Sequence, residues 1–229
     1  MDNGQALAEP EIAQAKKLPA KSGPPTGTET RARILQAAKE VLRDEGITQA
    51  SARTIARQGN FNQALIFYHF GSLEGLLVEV AKDEGQQRAD VYSAQFQRIT
   101  KLAELVRIAR DVHRHELDSG GPTVLSQLLA GAHSSETIAA GMVEAMVPWM
   151  NLVEAAMGQT VARTPVAGLL PQKELGFAVA SLFIGMELLS SLDPESKQAE
   201  SLFDVFANLA SVADLVIANP AALTTLLMR

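Results

Sequence analysis

The stretch from Ser51 to Phe70 constrains the fold of this chain more than any other, because it predicts two short helices joined by a tight turn. Ser51 is a good N-cap for the first helix, and Asn62 can cap the second. Between them, Gly59 and Asn60 tolerate the positive φ angles that such a turn requires. This arrangement is typical of a helix-turn-helix, whose second helix can lie in the major groove of DNA.

Two further helices are predicted on either side of this motif. Thr26 and Glu29 have the spacing of a capping box, so a helix should begin near Thr26 and end at Gly46 in a left-handed conformation. Ser72 suits the cap of a later helix, with Glu74 in the first turn, where the helix dipole favours an anion. We expect this later helix to link a DNA-binding head to the rest of the chain.

The residues around the motif also form a family pattern. In order they are Ile34-Leu35, Ala37-Ala38, Gly46, Ser51, Ile55-Ala56, Phe67-Tyr68-His69-Phe70, Ser72, Glu74 and Leu76-Leu77. This pattern closely resembles the N-terminal signature of TetR-family transcriptional regulators, over roughly residues 28 to 80. The resemblance implies an all-α fold, with an N-terminal three-helix helix-turn-helix DNA-binding domain joined to a helical ligand-binding and dimerisation domain.

Composition agrees with a globular regulator. Of the 229 residues, 47% are hydrophobic, which is enough for a buried core, and the lack of cysteine excludes disulfides and thiolate metal sites. The first residues do not follow the pattern of a signal peptide, so we expect a cytoplasmic protein. The most apolar stretch, from 175 to 192, contains Glu187 and several serines, and we interpret it as a helix buried in protein rather than in a membrane.

The charges are distributed unevenly along the chain. Residues 16 to 57 hold nine Lys or Arg against four acids, a net charge of +5. Residues 81 to 229 hold eleven bases against seventeen acids, a net charge of −6. A basic head can approach phosphate while an acidic body cannot, so the overall charge of −6 is compatible with DNA binding.

The predicted organisation has four parts. They are a disordered tail over 1–26, the helix-turn-helix domain over 27–77, a helical effector-binding and dimerisation domain over 78–218, and a C-terminal tail over 219–229. Breaker residues divide the body into helical runs at 95–117, 122–132, 135–161, 171–192 and 195–218. No run alternates as a strand would. The three lysines of the N-terminal tail either belong to a solvated leader or form a basic arm that reaches DNA.

The residue types in the head suggest two kinds of DNA contact. Arg can pair with guanine, Asn or Gln with adenine, and a methyl group can contact thymine, so we expect base reading by Arg53, Asn62, Gln63 and Ala64. A capping role would occupy the same side chain of Asn62. For phosphate contacts the candidates are Arg31, Arg33, Tyr68, His69 and Ser72.

The head departs from the family pattern at four positions. Asn60 replaces a usual glycine, which a left-handed turn tolerates. Phe67 replaces a frequent tyrosine, Leu65 a frequent threonine and Leu73 a usual lysine, so three potential phosphate partners are missing. Leu73 either weakens the salt dependence of DNA binding or packs against neighbouring apolar residues.

The long helix around Pro148 is the candidate effector site. Met142, Met146, Trp149 and Met150 recur on it at helical spacing. Such a stripe is more often core, but flexible thioethers near a proline kink also suit an adaptable apolar cavity. The family resemblance implies a small-molecule effector between these helices, and we expect a largely apolar one. Glu187 is either an outward-facing or interface carboxylate, or a buried acceptor for a polar group of the effector.

The last two long helices are apolar on nearly all sides, so they must be covered all round. The family resemblance implies that they pair with their symmetry mates in a four-helix bundle. The residues that we place in this homodimer interface are Phe183, Leu188, Phe203 and Phe206.

No pattern supports an enzyme. His113 and His115 point to different faces of a helix, and no nucleophile elbow or phosphate-binding glycine loop occurs. We expect neither a cofactor nor a metal site. The sequence therefore predicts a dimeric, sequence-specific DNA-binding regulator, acting as a repressor that a small-molecule effector releases from a pseudo-palindromic operator. The alternative is a ligand-independent DNA-binding or partner-binding protein with the same fold.

Overall fold

The computed structural model describes residues 26–161 and 171–218, and this part of the chain folds entirely into helices and their connections. The helices are α1 Gly27–Asp44, α2 Ala52–Gln58, α3 Ala64–Phe70, α4 Leu73–Phe96, α5 Leu102–Ser119, α6 Gly121–Ala132, α7 Glu136–Val161, α8 Gln172–Leu192 and α9 Gln198–Ala218. A short 3-10 turn, Ile47–Gln49, precedes α2. The all-α prediction is confirmed. Most of the predicted tails, including the three N-terminal lysines, lies outside the described residues.

The predicted helix caps in the head are confirmed. Thr26 and Glu29 form a reciprocal capping box at the start of α1, and Gly46 after its end has φ 82°. The hydroxyl of Ser51 accepts from the N–H of Thr54, and Ser72 begins α4 in the same manner. Because each of these bonds spans about one helical turn, the local sequence sets the helix ends.

The predicted helix at 95–117 is wrong at its N-terminal end, since α4 runs to Phe96 and α5 begins only at Leu102. The break is stabilised by two carboxylates. Glu104 accepts from the N–H of Thr100 at 2.9 Å, and Asp214 of α9 accepts from the N–H groups of Leu102 and Ala103 at 3.0 Å each. A distant helix therefore helps to cap α5, which a local pattern does not indicate.

The core consists of two apolar clusters that share α4 and α7. The first cluster joins the head to the adjoining part of the body. It contains residues of α1 to α4 together with residues of α6 and α7 such as Leu128 and Met142. The second lies among α4, α5, α7, α8 and α9 around Trp149. The predicted domain boundary at residue 77 falls inside α4, so one continuous helix belongs to both parts.

Helices α4 and α7 approach each other closely because of two glycines. A Cβ at Gly85 would lie 2.0 Å from the carbonyl oxygen of Ala145, and one at Gly141 would lie 2.5 Å from the side chain of Val78. Only glycine permits this separation without backbone movement. At these two points α4, which continues from the head, lies directly against α7 of the body.

Helix α8 is the one helix within the described ranges that is long and apolar enough to cross a membrane, with a mean hydropathy of 1.8 over Lys173–Leu192. Only 22% of its most apolar window is buried inside the subunit. Its outer face and that of α9 expose a set of large apolar side chains: Phe177, Leu182, Leu189, Leu192, Val205, Leu209, Val212 and Leu215. We call this set the apolar face.

Candidate DNA interface and effector site

The turn between α2 and α3 has the geometry of a helix-turn-helix, with one difference from the prediction. Asn60 has a positive φ of 51°, as expected, whereas Gly59 has φ −87°, which any residue can adopt. Gly59 is required for packing, because a Cβ there would lie 2.2 Å from the ring of Phe61. Phe61 in turn packs against the core of the head.

Helix α3 presents a polar and aromatic face to solvent. Ile66 is fully buried and anchors the helix, while Gln63, Ala64, Phe67 and Tyr68 are exposed, Phe67 by 49% and Tyr68 by 81%. These four residues share one side because they are spaced at i, i+1, i+4 and i+5. An exposed helix face beside a tight turn can lie in a major groove.

The residues predicted to read bases lie together, but one of them has a second role. Arg53, Asn62 and Gln63 line one shallow depression on the surface. The Oδ1 atom of Asn62 accepts from the N–H of Ala64 at 2.9 Å. The side chain of Asn62 therefore caps the start of α3. Gln63 and Arg53 beside it remain the candidates for base contacts.

The predicted phosphate ligands differ in their surroundings. Arg31 pairs with Glu79 and lies 5.0 Å from the ring centroid of Phe70, so it is partly held by the protein. Arg33 is exposed over the ring of Phe61 at 5.8 Å. His69 lies beside Arg31 in a surface depression, and the Ser72 hydroxyl accepts from the N–H of Gly75 at 2.9 Å.

Two of the departures from the family pattern contribute to packing. Leu65 and Leu73 are partly buried and pack against the apolar core of the head. At each of these positions, a leucine that packs against the core therefore stands where the family pattern has a polar side chain. This favours the packing interpretation of Leu73 over a role in the salt dependence of DNA binding.

The model of the family of bacterial regulatory proteins known as the tetR family matches residues 34–80. This range begins within α1 and ends within α4, and it includes the turn and the exposed face of α3. Over these residues the chain is similar to the tetR family. The matched range contains the helix-turn-helix, which supports a DNA-binding role for this part of the chain.

Several solved structures share the fold over most of the chain. FadR from Bacillus subtilis in complex with stearoyl-CoA superposes with a TM-score of 0.64 at 13% identity, covering 78% of this chain and 96% of that one. A TetR-family regulator from Mesorhizobium loti gives 0.63 at 15% identity, covering 85% and 98%. The multidrug binding protein EbrR complexed with ethidium gives 0.59 at 22% identity, covering 80% and 99%. No curated protein sequence matches the chain.

The body of the chain contains a small apolar cavity, which we call the central cavity. It has a volume of about 60 Å³ and is lined by residues of α4, α6, α7 and α8. Met142, Met146 and Trp149, three of the predicted effector residues, lie in its wall. Met150 instead packs against the second core cluster. The predicted stripe is thus partly core and partly cavity wall.

A cluster of charged side chains lies beside this cavity. The guanidinium of Arg88 contacts Glu116 at 2.5 Å and Glu187 at 3.1 Å, and lies 5.6 Å from the ring centroid of Trp149. Glu187 is fully buried, which argues against an outward-facing carboxylate. Burial raises the pKa of Glu187 to about 7, against the attraction of Arg88, and burial beside Glu116 also raises the pKa of Tyr92.

Sequence reasoning missed Arg88 and its pairing with Glu116. The signal was weak because the partners are 28 and 99 residues from Arg88 along the chain. A stripe of Gly85, Arg88 and Tyr92 at helical spacing was the available indication of a functional face on α4.

A second, polar cavity of about 240 Å³ lies between α1 of the head and α4, α5 and α6 of the body. It shares Glu84, Arg88 and Gly121 with the central cavity, so these residues separate the two spaces. Lys39 in its wall pairs with Asp83 and Glu84 at 2.7 and 2.5 Å.

The residues predicted for the dimer interface are distributed between the interior and the surface. Phe183 and Phe203 are buried within the chain, each beside the ring of His113, and Leu188 and Phe206 are half-buried. The exposed apolar face of α8 and α9 is formed by other residues. An apolar groove of about 370 Å³ between α5, α8 and α9 opens beside it.

The histidines of α5 lie on opposite faces of the helix, as predicted. His113 is buried, and burial lowers its pKa, whereas His115 is exposed. Within residues 26–161 and 171–218, no three His, Asp or Glu side chains are grouped as metal ligands.

Proposed function

We propose that this chain is a transcriptional repressor that binds a pseudo-palindromic operator as a homodimer and is released by a small-molecule effector. The single observation that carries the proposal is the exposed face of α3, formed by Gln63, Ala64, Phe67 and Tyr68. These side chains supply an amide, a methyl group and two aromatic rings at the surface that would enter the major groove. Arg53 at the adjacent edge supplies a guanidinium.

The proposed homodimer forms through the apolar face of α8 and α9. On α9, Val205, Leu209 and Val212 follow each other at i, i+4 and i+7, which is the spacing of a helix seam. Exposed leucines of α8, such as Leu182 and Leu189, continue the same surface. A second copy would cover both helices and place the two α3 helices one turn of DNA apart, about 34 to 36 Å.

The proposed effector site is the central cavity. Its wall includes α6, and Gln127 of α6 accepts a hydrogen bond from the N–H of Ile47, just before the helix-turn-helix. A ligand that displaces α6 would therefore move the head. Release then follows as a population shift toward a dimer whose α3 helices no longer match the operator spacing.

The solved neighbours support a ligand-responsive regulator in general terms. FadR from Bacillus subtilis is bound to stearoyl-CoA and EbrR to ethidium, so proteins of this fold bind chemically different small molecules. We place the protein in the cytoplasm, where operator and small molecule meet. We expect an effector with a substantial apolar part, because most of the cavity wall is aliphatic or aromatic.

One experiment tests the core of the proposal. The purified chain is used to select bound fragments from random DNA, and the recovered sequences are tested by titration at fixed salt. A palindromic sequence with two half-sites one helical turn apart is the expected result, bound at least about 10³-fold more tightly than random DNA. A ratio near one would instead favour the alternative of a ligand-independent, non-specific DNA-binding protein.

A further inference from the structure

The apolar groove between α5, α8 and α9 is much larger than the central cavity, with a volume of about 370 Å³ against about 60 Å³. Every residue that lines it is apolar, including Leu105, Phe183 and Phe206. A cavity of about 150 Å³ accepts benzene, so this groove would hold roughly three leucine side chains. Open apolar surface of this extent indicates a place where something binds.

The groove runs along two antiparallel helices. Asp214 of α9 accepts a hydrogen bond from the N–H of Leu102 at the start of α5, whereas Arg110, further along α5, pairs with Asp204 of α9. On α9 the lining residues lie between positions 203 and 213, which is about 15 Å at 1.5 Å per residue. The groove is therefore elongated, and one of its ends lies near the C-terminal end of α9.

The C-terminal tail, residues 219–229, is attached close to that end. Helix α9 ends at Ala218, about 7.5 Å along the helix from Ala213 in the groove wall. Asn219 and Pro220 follow, a dipeptide that favours a turn because the residue before a proline avoids the helical conformation. Five extended residues span up to about 17 Å, so the chain can return from Ala218 to the groove.

The sequence of the tail matches the chemistry of the groove. Residues 219–228 contain no charged side chain. Leu223, Leu226 and Leu227 are spaced at i, i+3 and i+4, which is the spacing of one side of a helix, while Thr224 and Thr225 fall on the other side. The tail therefore supplies three leucines, roughly the number that the groove volume accepts.

We propose that the C-terminal tail folds back and fills the apolar groove of its own chain, with its three leucines against α5, α8 and α9. Leu182 and Leu209 line the groove and also belong to the apolar face, so the docked tail lies at the edge of the proposed dimer interface. While the tail is docked, the groove is closed to other apolar molecules. This contact goes beyond the proposed function, which places the effector in the central cavity.

The tail has an advantage over any other occupant because it is tethered beside the groove. A segment on a short linker has an effective concentration on the order of millimolar for a neighbouring site. A second copy of the chain, or a small apolar molecule, must reach a comparable concentration in solution to displace it. The tail therefore acts as a competitor that belongs to the protein itself.

The first test uses the absence of cysteine from the chain. Leu227→Cys places a single thiol on the apolar side of the tail, and the matched control Thr224→Cys places one on the polar side. A thiol reagent should label Leu227→Cys about tenfold or more slowly than the control, because a thiol buried in apolar surroundings is unreactive. In denaturant the two labelling rates should become equal.

The second test identifies where the tail docks. Two cysteines form a disulfide only when their Cα atoms lie within about 7 Å, so Leu227→Cys combined with Ala210→Cys in the groove wall should form one within a single chain under mild oxidation. The matched control combines Leu227→Cys with Asn208→Cys, which is exposed on nearly the opposite side of α9 and should not form it. If Ala210→Cys does not fold, Ala213→Cys replaces it. Non-reducing gels and peptide mass spectrometry separate links within one chain from links between two.

Three results would overturn the inference. Equal labelling of Leu227→Cys and Thr224→Cys in the folded protein would show that the tail is not docked, and saturable binding of 1-decanol by that protein would assign the groove to a small apolar ligand. A disulfide that joins two chains would show that the groove holds a segment of a second copy. Equal cross-linking to Asn208→Cys and Ala210→Cys would show that the tail has no preferred side of α9.

Discussion

The side chain of Gln127 on α6 accepts a hydrogen bond from the backbone N–H of Ile47, and the two atoms are 2.8 Å apart. These residues are 80 positions apart in the chain. The bond joins a wall helix of the central cavity to the turn that leads into the DNA-binding helices. It is a direct contact through which the body can influence the head.

Removing this acceptor should weaken the connection. Gln127→Leu leaves the N–H of Ile47 without its partner, so we expect a loss of about 1 to 2 kcal/mol in the free energy of unfolding. Operator affinity should fall severalfold, because a looser head has more freedom to lose on binding. Gln127→Glu is the matched control, since its carboxylate can still accept. Urea titrations and DNA titrations measure both quantities, and identical behaviour of the two variants would contradict the role of this bond.

Gln63 should be a base-reading residue. Gln63→Ala should lose about 1 to 3 kcal/mol of affinity for the selected operator and flatten discrimination at one base pair. Asn62→Ala is the informative comparison, because it removes the cap of α3 and should lower thermal stability as well. Titrations against a set of singly substituted operators distinguish base reading by Gln63 from a general loss of affinity. Equal weakening on every sequence would refute the role of Gln63.

Phe67 should contact a thymine methyl group. Its ring is 49% exposed on the face of α3, and thymine is the base that offers an apolar group in the major groove. Replacing the relevant thymine by deoxyuridine removes that methyl and should cost the wild type roughly 0.8 kcal/mol. Phe67→Ala should be insensitive to the same replacement. If both proteins respond alike to deoxyuridine at every position, the ring does not read a methyl group.

The apolar face of α8 and α9 should hold the dimer together. Leu189→Glu or Val205→Glu places a charge in the proposed interface and should give soluble monomers with weakened operator binding. Val143→Glu, at an equally exposed apolar position of α7, should remain dimeric. Phe183→Glu should instead misfold, because Phe183 packs inside the subunit. Analytical ultracentrifugation and circular dichroism separate these results, and a dimeric Leu189→Glu, Val205→Glu double variant would disprove the interface.

Stability should fall as the pH rises toward 8. Burial raises the pKa of Glu187 from 4.5 to about 7, so the folded protein favours the neutral carboxyl. Its contribution is complete below pH 4.5 and is lost as the pH rises through about 7. Between pH 5 and 8, the wild type should lose about 2 to 3 kcal/mol relative to Glu187→Gln. Urea unfolding at one protein concentration, followed by the fluorescence of Trp149, measures this difference. Parallel pH profiles for the two proteins would show that another group is responsible.

The sequence predicted the head better than the body for a physical reason. The caps made by Thr26, Ser51 and Ser72 act within about one helical turn, so the local sequence contains both partners. The Arg88–Glu187 pair joins residues 99 positions apart, and only the tertiary fold brings them together. The apolar pattern of α8 likewise indicated that other helices cover it on most sides. Which of its residues face inward and which face outward depends on the helices that pack against it.

Because α4 crosses α7 closely at Gly85, the helix can pivot about this point, and its two ends then move by unequal distances. The pivot is the contact with the carbonyl of Ala145, where no side chain intervenes. At 1.5 Å per residue, Arg88 lies only about 4.5 Å along the helix from this point, while Leu73 at the head end lies about 18 Å away on the other side. A rotation that moves Arg88 by about 1 Å would therefore swing Leu73 by about 4 Å in the opposite direction. A ligand small enough for the cavity could in this way produce a displacement large enough to change the register of α3 on DNA.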